Sequence, residues 1–422
     1  MKQTEVGLIP DDWEVEQLNE YFEVGSSKRV FQSQWRKAGI PFYRAREIVI
    51  LSEKNTVENE LFIDESLYNQ FKTLYGVPSV NDLLVTGVGT LGKVYKVQDT
   101  KPFYFKDGNI ICLKNKGLID SDYVKYHFDY SIVKNQINDN SGKSTVGTYT
   151  INSARKTLIP IPPLAEQHRI AKALSDVDAL IFTTEKLIQK KKNIKQGTMQ
   201  NLLTGKKRLP GFATTRKLKQ TELGEIPEDW EVKKIKNFAK VFDGTHQTPH
   251  YVDVGIPFYS VENVTANDFE HTKLISEEEH RVLTSKVKIE KGDILMTRIG
   301  SIGDCKYVDW ESNASFYVSL ALIKCDKSVD AKFVAYYSNS LQFKKELELR
   351  SLITAIPQKI NLGPISEIVL FMPSKEEQTA IANVLSSMDK EIESLTTKLE
   401  KYRNLKTAMM QQLLTGKVRL VK

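Results

Sequence analysis

A long internal repeat constrains the fold of this 422-residue chain more than any other feature. The opening Thr4–Val15 returns as Thr221–Val232, and Leu202–Lys206 returns as Leu413–Lys417. Blocks between them recur in the same order. A period of roughly 210 residues far exceeds the 20 to 50 residues of solenoid and propeller repeats. The sequence therefore predicts a duplicated domain.

The two copies diverge between the matched blocks. Residues 21–38 share little with 240–254, and residues 93–140 share little with 304–350. A constant framework with different filling is typical of two binding domains that have different targets. A duplicated enzyme fits less well, since its active-site residues would be expected to survive in at least one copy.

Each copy is predicted to be a mixed α/β (α+β) domain. Short β-rich runs alternate with Gly, Asn and Asp, which favour turns. A helix is expected over Asp122–Gln136, with its twin over Ala331–Leu347. The predicted strands of the first copy are Pro41–Tyr43, Asp82–Thr86, Lys93–Val97 and Asn109–Leu113.

A long helix is predicted to close each copy. Pro163 and Pro373 favour a helix start, and Gly205 and Gly416 favour a helix end. Apolar residues between them recur at steps of three or four, close to a coiled-coil heptad. The predicted seam comprises Ile170, Leu174, Val177, Ile181 and Ile188 in the first helix, and Ile381, Leu385, Met388, Ile392, Leu395 and Leu399 in the second.

Two such stripes in one chain predict that the helices pair with each other, antiparallel, with one domain at each end. The alternative is that each helix packs only on its own domain. Thr184, Lys191 and Thr198 interrupt the first seam. The predicted pseudo-two-fold chain has a first domain over 1–162, its helix over 163–205, a linker over 206–220, a second domain over 221–372, its helix over 373–416 and a tail over 417–422.

Composition narrows the classes of protein. The chain is 41% hydrophobic and 27% charged, which is typical of a globular protein. It has no apolar run of 18 residues, and its start lacks an apolar signal core, so we expect neither a membrane contact nor secretion but a cytoplasmic location. Its three cysteines form no CxxC pair, which argues against zinc and disulfides. A net charge of +7 permits a nucleic-acid partner without requiring one.

Two phosphate-binding motifs are imitated. Gly87–Gly92 has the GxGxxG spacing, but a strand rather than a helix is predicted after it, and its twin Arg298–Gly303 lacks the first glycine. Both are interpreted as tight turns of β-hairpins. Ser141–Thr145 resembles the end of a P-loop without its first glycine. That segment is either a loop that touches phosphate or a solvated loop.

Catalytic motifs are absent from the sequence. It has no Asn-Pro-Pro-Tyr-type methyltransferase motif, no HExxH and no GxSxG, and its six histidines are scattered. We therefore predict no catalytic residues, no metal site and no cofactor in this chain.

Basic and polar side chains cluster with aromatic ones in the divergent segments. Arg and Lys can hold phosphate or read guanine, and Gln can read adenine. Lys190–Lys192, Lys195 and Lys206–Arg208 form a further basic run, which either meets the DNA backbone or is a solvated helix face. The DNA-binding candidates in these segments are Lys28, Arg29, Arg36, Arg44, Arg46, Thr245, His246 and Gln247.

The ordered motifs resemble the specificity (S) subunit of Type I restriction–modification systems over essentially the whole chain. They are the opening Leu223–Trp230, the Gly-Ile-Pro-Phe-Tyr block, Gly292–Gly303, the Pro-Pro-Leu-Ala-Glu-Gln entrance to the long helix and its Leu-Leu-Thr-Gly-Lys exit. By position, the resemblance implies that the loops after Asp82–Thr86 and Asp293–Thr297 approach DNA, with Lys143–Thr148 and Thr354–Lys359. This adds the candidates Lys93, Lys143, Ser144, Thr145, Arg298, Ser301, Gln358 and Lys359.

The resemblance also implies a division of labour. Each domain would read one half of a bipartite, asymmetric site in double-stranded DNA, and the helices would set the spacer. Two modification (M) methyltransferase subunits would dock on the helices and use S-adenosylmethionine, and restriction (R) subunits, where present, would use ATP and Mg²⁺. Gly87 stands where the second copy has Arg298, so no role of that arginine carries over to the first domain.

Two other classes of function remain open at this point. One is an enzyme that cleaves or modifies DNA with its own active site. The other is a coiled-coil scaffold or adaptor with no DNA-reading role. Sequence-selective DNA binding that appears only with the M subunits would exclude the scaffold.

Overall fold

A computed structural model describes residues 1–54, 56–141, 147–213, 217–222, 224–352 and 356–421 of the chain. These residues form two compact units. Unit 1 contains Met1–Glu185 with Lys398–Lys422, and unit 2 contains Lys186–Thr397. Each unit therefore holds one copy of the globular domain and a part of both long helices.

The first copy and its closing helix contain eleven strands, seven α-helices and a 3-10 turn, Gln32–Gln34, within the described residues. The strands are β1 (Lys2–Thr4), β2 (Gly7–Ile9), β3 (Glu14–Gln17), β4 (Phe22–Gly25), β5 (Ile40–Tyr43), β6 (Phe62–Ile63), β7 (Leu83–Thr86), β8 (Val94–Lys96), β9 (Tyr104–Phe105), β10 (Ile110–Asn115) and β11 (Leu158–Ile161). The helices are α1 (Leu18–Tyr21), α2 (Ala45–Lys54), α3 (Glu65–Tyr75), α4 (Ser121–Asp129), α5 (Ser131–Ser141), α6 (Ile151–Lys156) and α7 (Leu164–Leu202).

The second copy follows nearly the same order, with one additional strand, Tyr251–Val252, and a 3-10 turn, Ile235–Asn237, in place of α1. Its strands are β12 (Leu218–Thr221), β13 (Gly224–Pro227), β14 (Glu231–Lys234), β15 (Ala239–Asp243), β16 (Tyr251–Val252), β17 (Ile256–Tyr259), β18 (Lys273–Ile275), β19 (Ile294–Thr297), β20 (Cys305–Tyr307), β21 (Ser315–Phe316), β22 (Leu320–Cys325) and β23 (Val369–Met372). Its helices are α8 (Val261–Ala266), α9 (Glu277–Leu283), α10 (Ala331–Tyr337), α11 (Leu341–Arg350), α12 (Leu362–Ser366) and α13 (Lys375–Leu413).

The core of each domain is built on a four-stranded antiparallel sheet. Its strand order is β4-β10-β7-β8 in unit 1 and β15-β22-β19-β20 in unit 2. The four residues of β7 and of β19 are all buried, because the sheet is covered on both faces. A smaller sheet, β6-β5-β9 or β16-β18-β17-β21, lies within the same unit. The mixed α/β prediction is confirmed for both copies.

The glycine motifs form hairpin turns, as predicted. β7 pairs antiparallel with β8, and β19 with β20. Gly89 and Gly92 have φ of 70° and 71°, a left-handed conformation that favours glycine. Gly87 is required for a different reason, since a Cβ there would lie 2.6 Å from the carbonyl oxygen of Tyr149.

The single helix predicted over Asp122–Gln136 is wrong, as is its twin over Ala331–Leu347. Each stretch holds two helices, α4 and α5 or α10 and α11. Tyr130 breaks the first pair with an extended backbone, at φ −102° and ψ 158°. In the second pair Ser340 caps α11 by accepting from the N–H of Phe343 (3.1 Å). The apolar pattern continues through both breaks, because both helices pack on one core.

The two long helices form as predicted, with 39 residues each. Within unit 1, Ile170 and Leu174 of α7 share a core with Met410 and Leu413 of α13. Within unit 2, Leu202 shares a core with Ile381 and Leu385. Early residues of one helix meet late residues of the other in both units, so the pairing is antiparallel. Among the described residues, no helix has the length and apolar character needed to cross a membrane.

One buried histidine gives unit 1 an acid-sensitive core. His127 of α4 is completely buried, and neither ring nitrogen has a hydrogen-bond partner. Burial lowers the pKa of His127 from 6.5 to about 3. Between these pH values the histidine is protonated in the unfolded chain but neutral in the folded chain. The free energy of unfolding therefore falls as the pH drops from 6.5 towards 3.

We expect His127→Phe to remove this pH dependence. In the wild type, His127 changes the free energy of unfolding by at most about 1.4 kcal/mol per pH unit. Hydrogen exchange in urea at several pH values measures the free energy of unfolding of unit 1, and hence this slope. His250→Phe, which changes an exposed histidine, serves as the control. An unchanged slope in His127→Phe would contradict the assignment.

Candidate nucleic-acid interface

Several loops of unit 1 meet at one end of the four-stranded sheet. β4 and β7 both run antiparallel to β10, so the ends of β4 and β7 lie beside the start of β10. Ser26 Oγ donates to the carbonyl oxygen of Ile110 (2.7 Å), and the N–H of Gly87 donates to that of Asn109 (2.9 Å). Tyr149 joins them through its N–H to the oxygen of Gly87 (2.9 Å). We call this place the sheet end.

Three of the predicted DNA-binding residues of the first copy lie at or beside the sheet end. Lys28 and Arg29 stand on the loop after β4, and Lys93 directly precedes β8. Lys93 Nζ is 3.5 Å from a carboxylate oxygen of Glu53, and 37% of its side chain is exposed. The predicted residues Lys143, Ser144 and Thr145 lie outside the described residues.

The other arginines predicted in the first copy are already paired with carboxylates. Arg36 pairs with Asp64 (2.7 Å). Arg44 binds Glu47 and Glu60, and Arg46 also binds Glu60 (2.7 Å). Arg46 and then Arg44 hold the pKa of Glu60 below its usual range. Carboxylates thus already balance Arg44 and Arg46: Glu47 is a neighbour in sequence, whereas the more distant Glu60 is brought to both arginines by the fold.

The predicted residues of the second copy converge on the sheet end of unit 2. Its loop after β15 carries Thr245, whose carbonyl oxygen accepts from the N–H of Val318 (3.0 Å). The turn after β19 is tied to a later segment, since the N–H of Gly300 donates to the oxygen of Gln358 (2.9 Å). The predicted residues placed on these segments are Thr245, His246, Gln247, Arg298, Ser301, Gln358 and Lys359.

Arg298 differs from the rest of this group, because only 7% of it is exposed. Its Nε donates to the carbonyl oxygen of Ile360 (3.2 Å). Its Nη1 lies 3.5 Å from Asp243 Oδ2 and makes no hydrogen bond. The guanidinium is thus held inside the domain next to the loop that carries His246, rather than extended into solvent.

Sequence reasoning missed a polar clasp at the base of unit 1. Arg419, after the end of α13, places Nε 2.9 Å from Glu166 Oε1 and Nη1 2.7 Å from Asp12 Oδ1. Its guanidinium also lies 5.5 Å from the ring centre of Trp13, whose Nε1 donates to Glu166 (3.3 Å). The chain's tail thereby ties the opening turn of the domain to the start of α7.

Unit 2 repeats the clasp residue for residue. Arg208, after the end of α7, binds Glu377 (2.6 Å) and Asp229 (2.8 Å). It lies 5.5 Å from the ring centre of Trp230, which donates to Glu377 (3.2 Å). The signal was present in the sequence, since an arginine stands two positions after Leu-Leu-Thr-Gly-Lys in both copies. Its partners lie far away along the chain, so spacing did not reveal its role.

The glycines at these helix ends serve the clasps. Gly205 and Gly416 have φ of 71° and 66°, as the prediction of helix-ending glycines requires. A Cβ on Gly205 would lie 2.5 Å from Pro227, and one on Gly416 would lie 2.4 Å from Pro10. Glycine therefore allows each helix end to pack against the proline of the domain's opening turn.

A second repeated contact joins each domain to both helices. In unit 1 Tyr126 donates to Asp178 (2.8 Å), which also binds Lys406 (2.7 Å). Unit 2 has the same arrangement, in which Tyr336 donates to Asp389 (2.7 Å) and Lys195 binds Asp389. Each tyrosine belongs to the domain, each aspartate to the domain's own helix and each lysine to the opposite helix.

These contacts involve three residues of the predicted basic run. Lys191 pairs with Glu391 (2.6 Å), Lys195 with Asp389, and Arg208 with Glu377 and Asp229. These three basic residues therefore form intramolecular ion pairs. Of the seam predictions, Ile170, Leu174, Val177, Ile188, Ile381, Leu385 and Leu399 are buried, whereas Ile181, Met388, Ile392 and Leu395 are partly exposed.

The family comparison decides which proteins this architecture belongs with. The Type I restriction modification DNA specificity domain matches residues 10–196 and again residues 227–401. This chain belongs to that family. Its two matches coincide with the two copies of the repeat, and its role is to supply DNA sequence specificity.

Relatives and solved structures agree with the assignment. The chain is 31% identical to a putative type I restriction enzyme specificity subunit, MjaX, of Methanocaldococcus jannaschii, over 99% of this chain and 96% of the relative. It is 28% identical to the MjaVIII specificity subunit of the same organism, over 98% and 94%. The S subunit of a Type I system from M. genitalium shares the fold, with a TM-score of 0.60 at 13% identity and 98% coverage of both chains.

Proposed function

We propose that each domain of this specificity subunit reads one half of a bipartite, asymmetric DNA site, and that α7 and α13 set the spacer between the halves. One observation carries the proposal. The contacts that join each domain to the helices recur in both units, whereas the side chains at the sheet ends differ. Arg29 and Gly87 mark one sheet end, and His246 and Arg298 the other. Two domains that are attached to the helices by the same contacts but carry different loops are suited to reading two different half-sites.

The complex would contain two M subunits docked on the helices, which bring S-adenosylmethionine and methylate adenines flipped out of the DNA. Apolar side chains that stay exposed on the helices offer contact area for them. Leu180 and Leu187 of α7 are 44% and 40% exposed, Ile194 is 44% exposed, and Leu405 of α13 is 45% exposed. Restriction subunits, where present, would add ATP- and Mg²⁺-dependent cleavage. A scaffold without a DNA-reading role is not favoured by the family assignment.

Long-read mapping of methylated adenines in cells with and without this chain tests the proposal. We expect a bipartite motif that requires the chain. Inserting seven residues into both helices, after Glu185 and after Thr397, preserves their pairing partners and lengthens each by about 10.5 Å. The spacer should then grow by about three base pairs at 3.4 Å each, with both half-sites unchanged. Altered half-sites with an unchanged spacer would refute the ruler role.

A further inference from the structure

Each sheet end carries one exposed basic side chain that an aspartate anchors. In unit 1 Arg29 Nε donates to Asp107 Oδ2 (2.9 Å), and the side chains are 66% and 14% exposed. In unit 2 His246 Nε2 bonds Asp243 Oδ2 (2.7 Å), with exposures of 70% and 33%. The aspartate is the more buried partner in both pairs. Each basic group is thus fixed on one side and open to solvent on the other.

Arg29 and His246 occupy equivalent positions, although the sequence around them does not match. In unit 1 Gly25 of β4 pairs with a residue of β10 that also pairs with Leu84 of β7. In unit 2 Phe242 of β15 pairs with a residue of β22 that also pairs with Leu295 of β19. Because Leu84 and Leu295 are equivalent in the repeat, Gly25 and Phe242 are equivalent as well. Arg29 and His246 each follow four residues later. One position of the fold therefore holds a different aspartate-anchored basic residue in each domain.

Arg298 gives the histidine of unit 2 a defined hydrogen-bonding face. Asp243 has a second cation nearby, because Nη1 of the buried Arg298 lies 3.5 Å from the same Oδ2. An ionised carboxylate only accepts hydrogen bonds, so His246 Nε2 is the donor in their contact. In the neutral tautomer this leaves Nδ1 as an outward acceptor. Unit 1 has Gly87 at the position of Arg298 and instead presents the free Nη groups of an arginine.

The two exposed groups match different base edges. The arginine fork can donate two hydrogen bonds to O6 and N7 of guanine in the major groove. An outward imidazole acceptor matches the exocyclic amino group of adenine or cytosine. Holding the side chain by an aspartate lowers the entropy lost on binding and restricts it to one direction.

We propose that Arg29 and His246 are specificity-determining residues, one for each domain. Arg29 selects a guanine in the half-site of the first domain, and His246 selects a base with an exocyclic amino group in the half-site of the second. Asp107, Asp243 and Arg298 are positioning residues that aim them. This inference rests on the proposed function, in which each domain reads one half-site.

The chain supplies matched controls for both variants. Arg36 and Asp64 form another exposed arginine–aspartate pair of the first domain, at 2.7 Å with 43% of the arginine exposed. His271 and Asp268 form another histidine–aspartate pair of the second domain, at 3.0 Å with 86% of the histidine exposed. Arg36 lies beyond the 3-10 turn Gln32–Gln34, where its backbone bridges to Phe62, and His271 lies between α8 and β18.

The test assembles Arg29→Ala, His246→Ala, Arg36→Ala and His271→Ala with the methyltransferase subunits and maps methylated sites by long-read sequencing. We expect Arg29→Ala to relax one position of one half-site, by about tenfold or more, and His246→Ala to relax one position of the other. Asp107→Asn and Asp243→Asn should relax the same positions. The control variants should keep the wild-type motif.

Three results would overturn the inference. One is an unchanged motif in both Arg29→Ala and His246→Ala. Another is the same relaxation in a control variant. The third is weaker methylation at all sites with base preferences intact, which indicates a phosphate contact. Thermal unfolding checks each variant, and Arg29→Gln and His246→Gln replace any alanine variant that unfolds. If the wild-type complex methylates no bipartite site, the proposed function itself has failed.

Discussion

Replacing Arg419 with methionine should destabilise unit 1 by about 3 kcal/mol, the range seen when one partner of a buried ion pair is removed. The reason is the carboxylate left behind. Only 1% of the Glu166 side chain is exposed, and its partners are Arg419, Trp13 and the N–H of Leu420 (3.1 Å). Methionine supplies an unbranched side chain without the charge or the hydrogen-bond donors of the guanidinium.

Hydrogen exchange measured peptide by peptide reports the two units separately. Protection in unit 1 should fall on the order of a hundredfold, while unit 2 keeps its protection. Arg208→Met is the matched control, and it should weaken unit 2 alone. Arg419→Lys should fall between the wild type and Arg419→Met, because lysine keeps the charge and loses the two-pronged contact. Equal loss in both units, or no loss, would show that the clasp does not hold its own domain.

The clasp also predicts the direction of a pH effect. Burial opposes ionisation of Glu166, but the bonds from Arg419 and Leu420 outweigh it and hold the pKa of this carboxyl below its usual range. The stability it contributes is therefore present above the usual pKa of a glutamate and is lost as the pH falls through the lowered value. Arg419→Met should remove this part of the acid sensitivity of unit 1.

Local sequence patterns predicted the elements of this fold but did not predict its long-range contacts. The repeat, the heptads and the glycine turns are periodic or short-range signals, so two domains, two long helices and two hairpins could be predicted. The break at Tyr130 could not, because the apolar period continues across it. Neither could the clasps, since Arg208 reaches Glu377 and Arg419 reaches Glu166 only after the chain has folded.

The candidate interface was predictable in part for the same reason. Thr245, His246, Gln247 and Gln358 were suspected from residue type and loop position, and the fold gathers their segments at one sheet end. Arg44 and Arg46 have the same residue chemistry as Arg29, yet Glu47 and Glu60 bind them. Some arginines are held by one aspartate and stay open to solvent, whereas others are enclosed by carboxylates. Residue type alone does not distinguish these two cases.

Exchanging residues 20–150 for those of another family member should replace one half-site completely and leave the other unchanged. The exchanged segment contains the sheet end of unit 1, with Arg29 and Asp107. It excludes Asp12, Trp13 and Glu166, so the clasp remains to hold the new domain. A donor that keeps a tyrosine at the place of Tyr126 also preserves the contact with Asp178.

Methylome mapping of this exchanged chain, assembled with its methyltransferase subunits, tests whether each domain reads its own half-site. We expect a hybrid motif, in which one half-site comes from the donor, the other is the original, and the spacer is unchanged. A motif in which both half-sites change, or in which neither changes, would contradict the reading of one half-site by each domain.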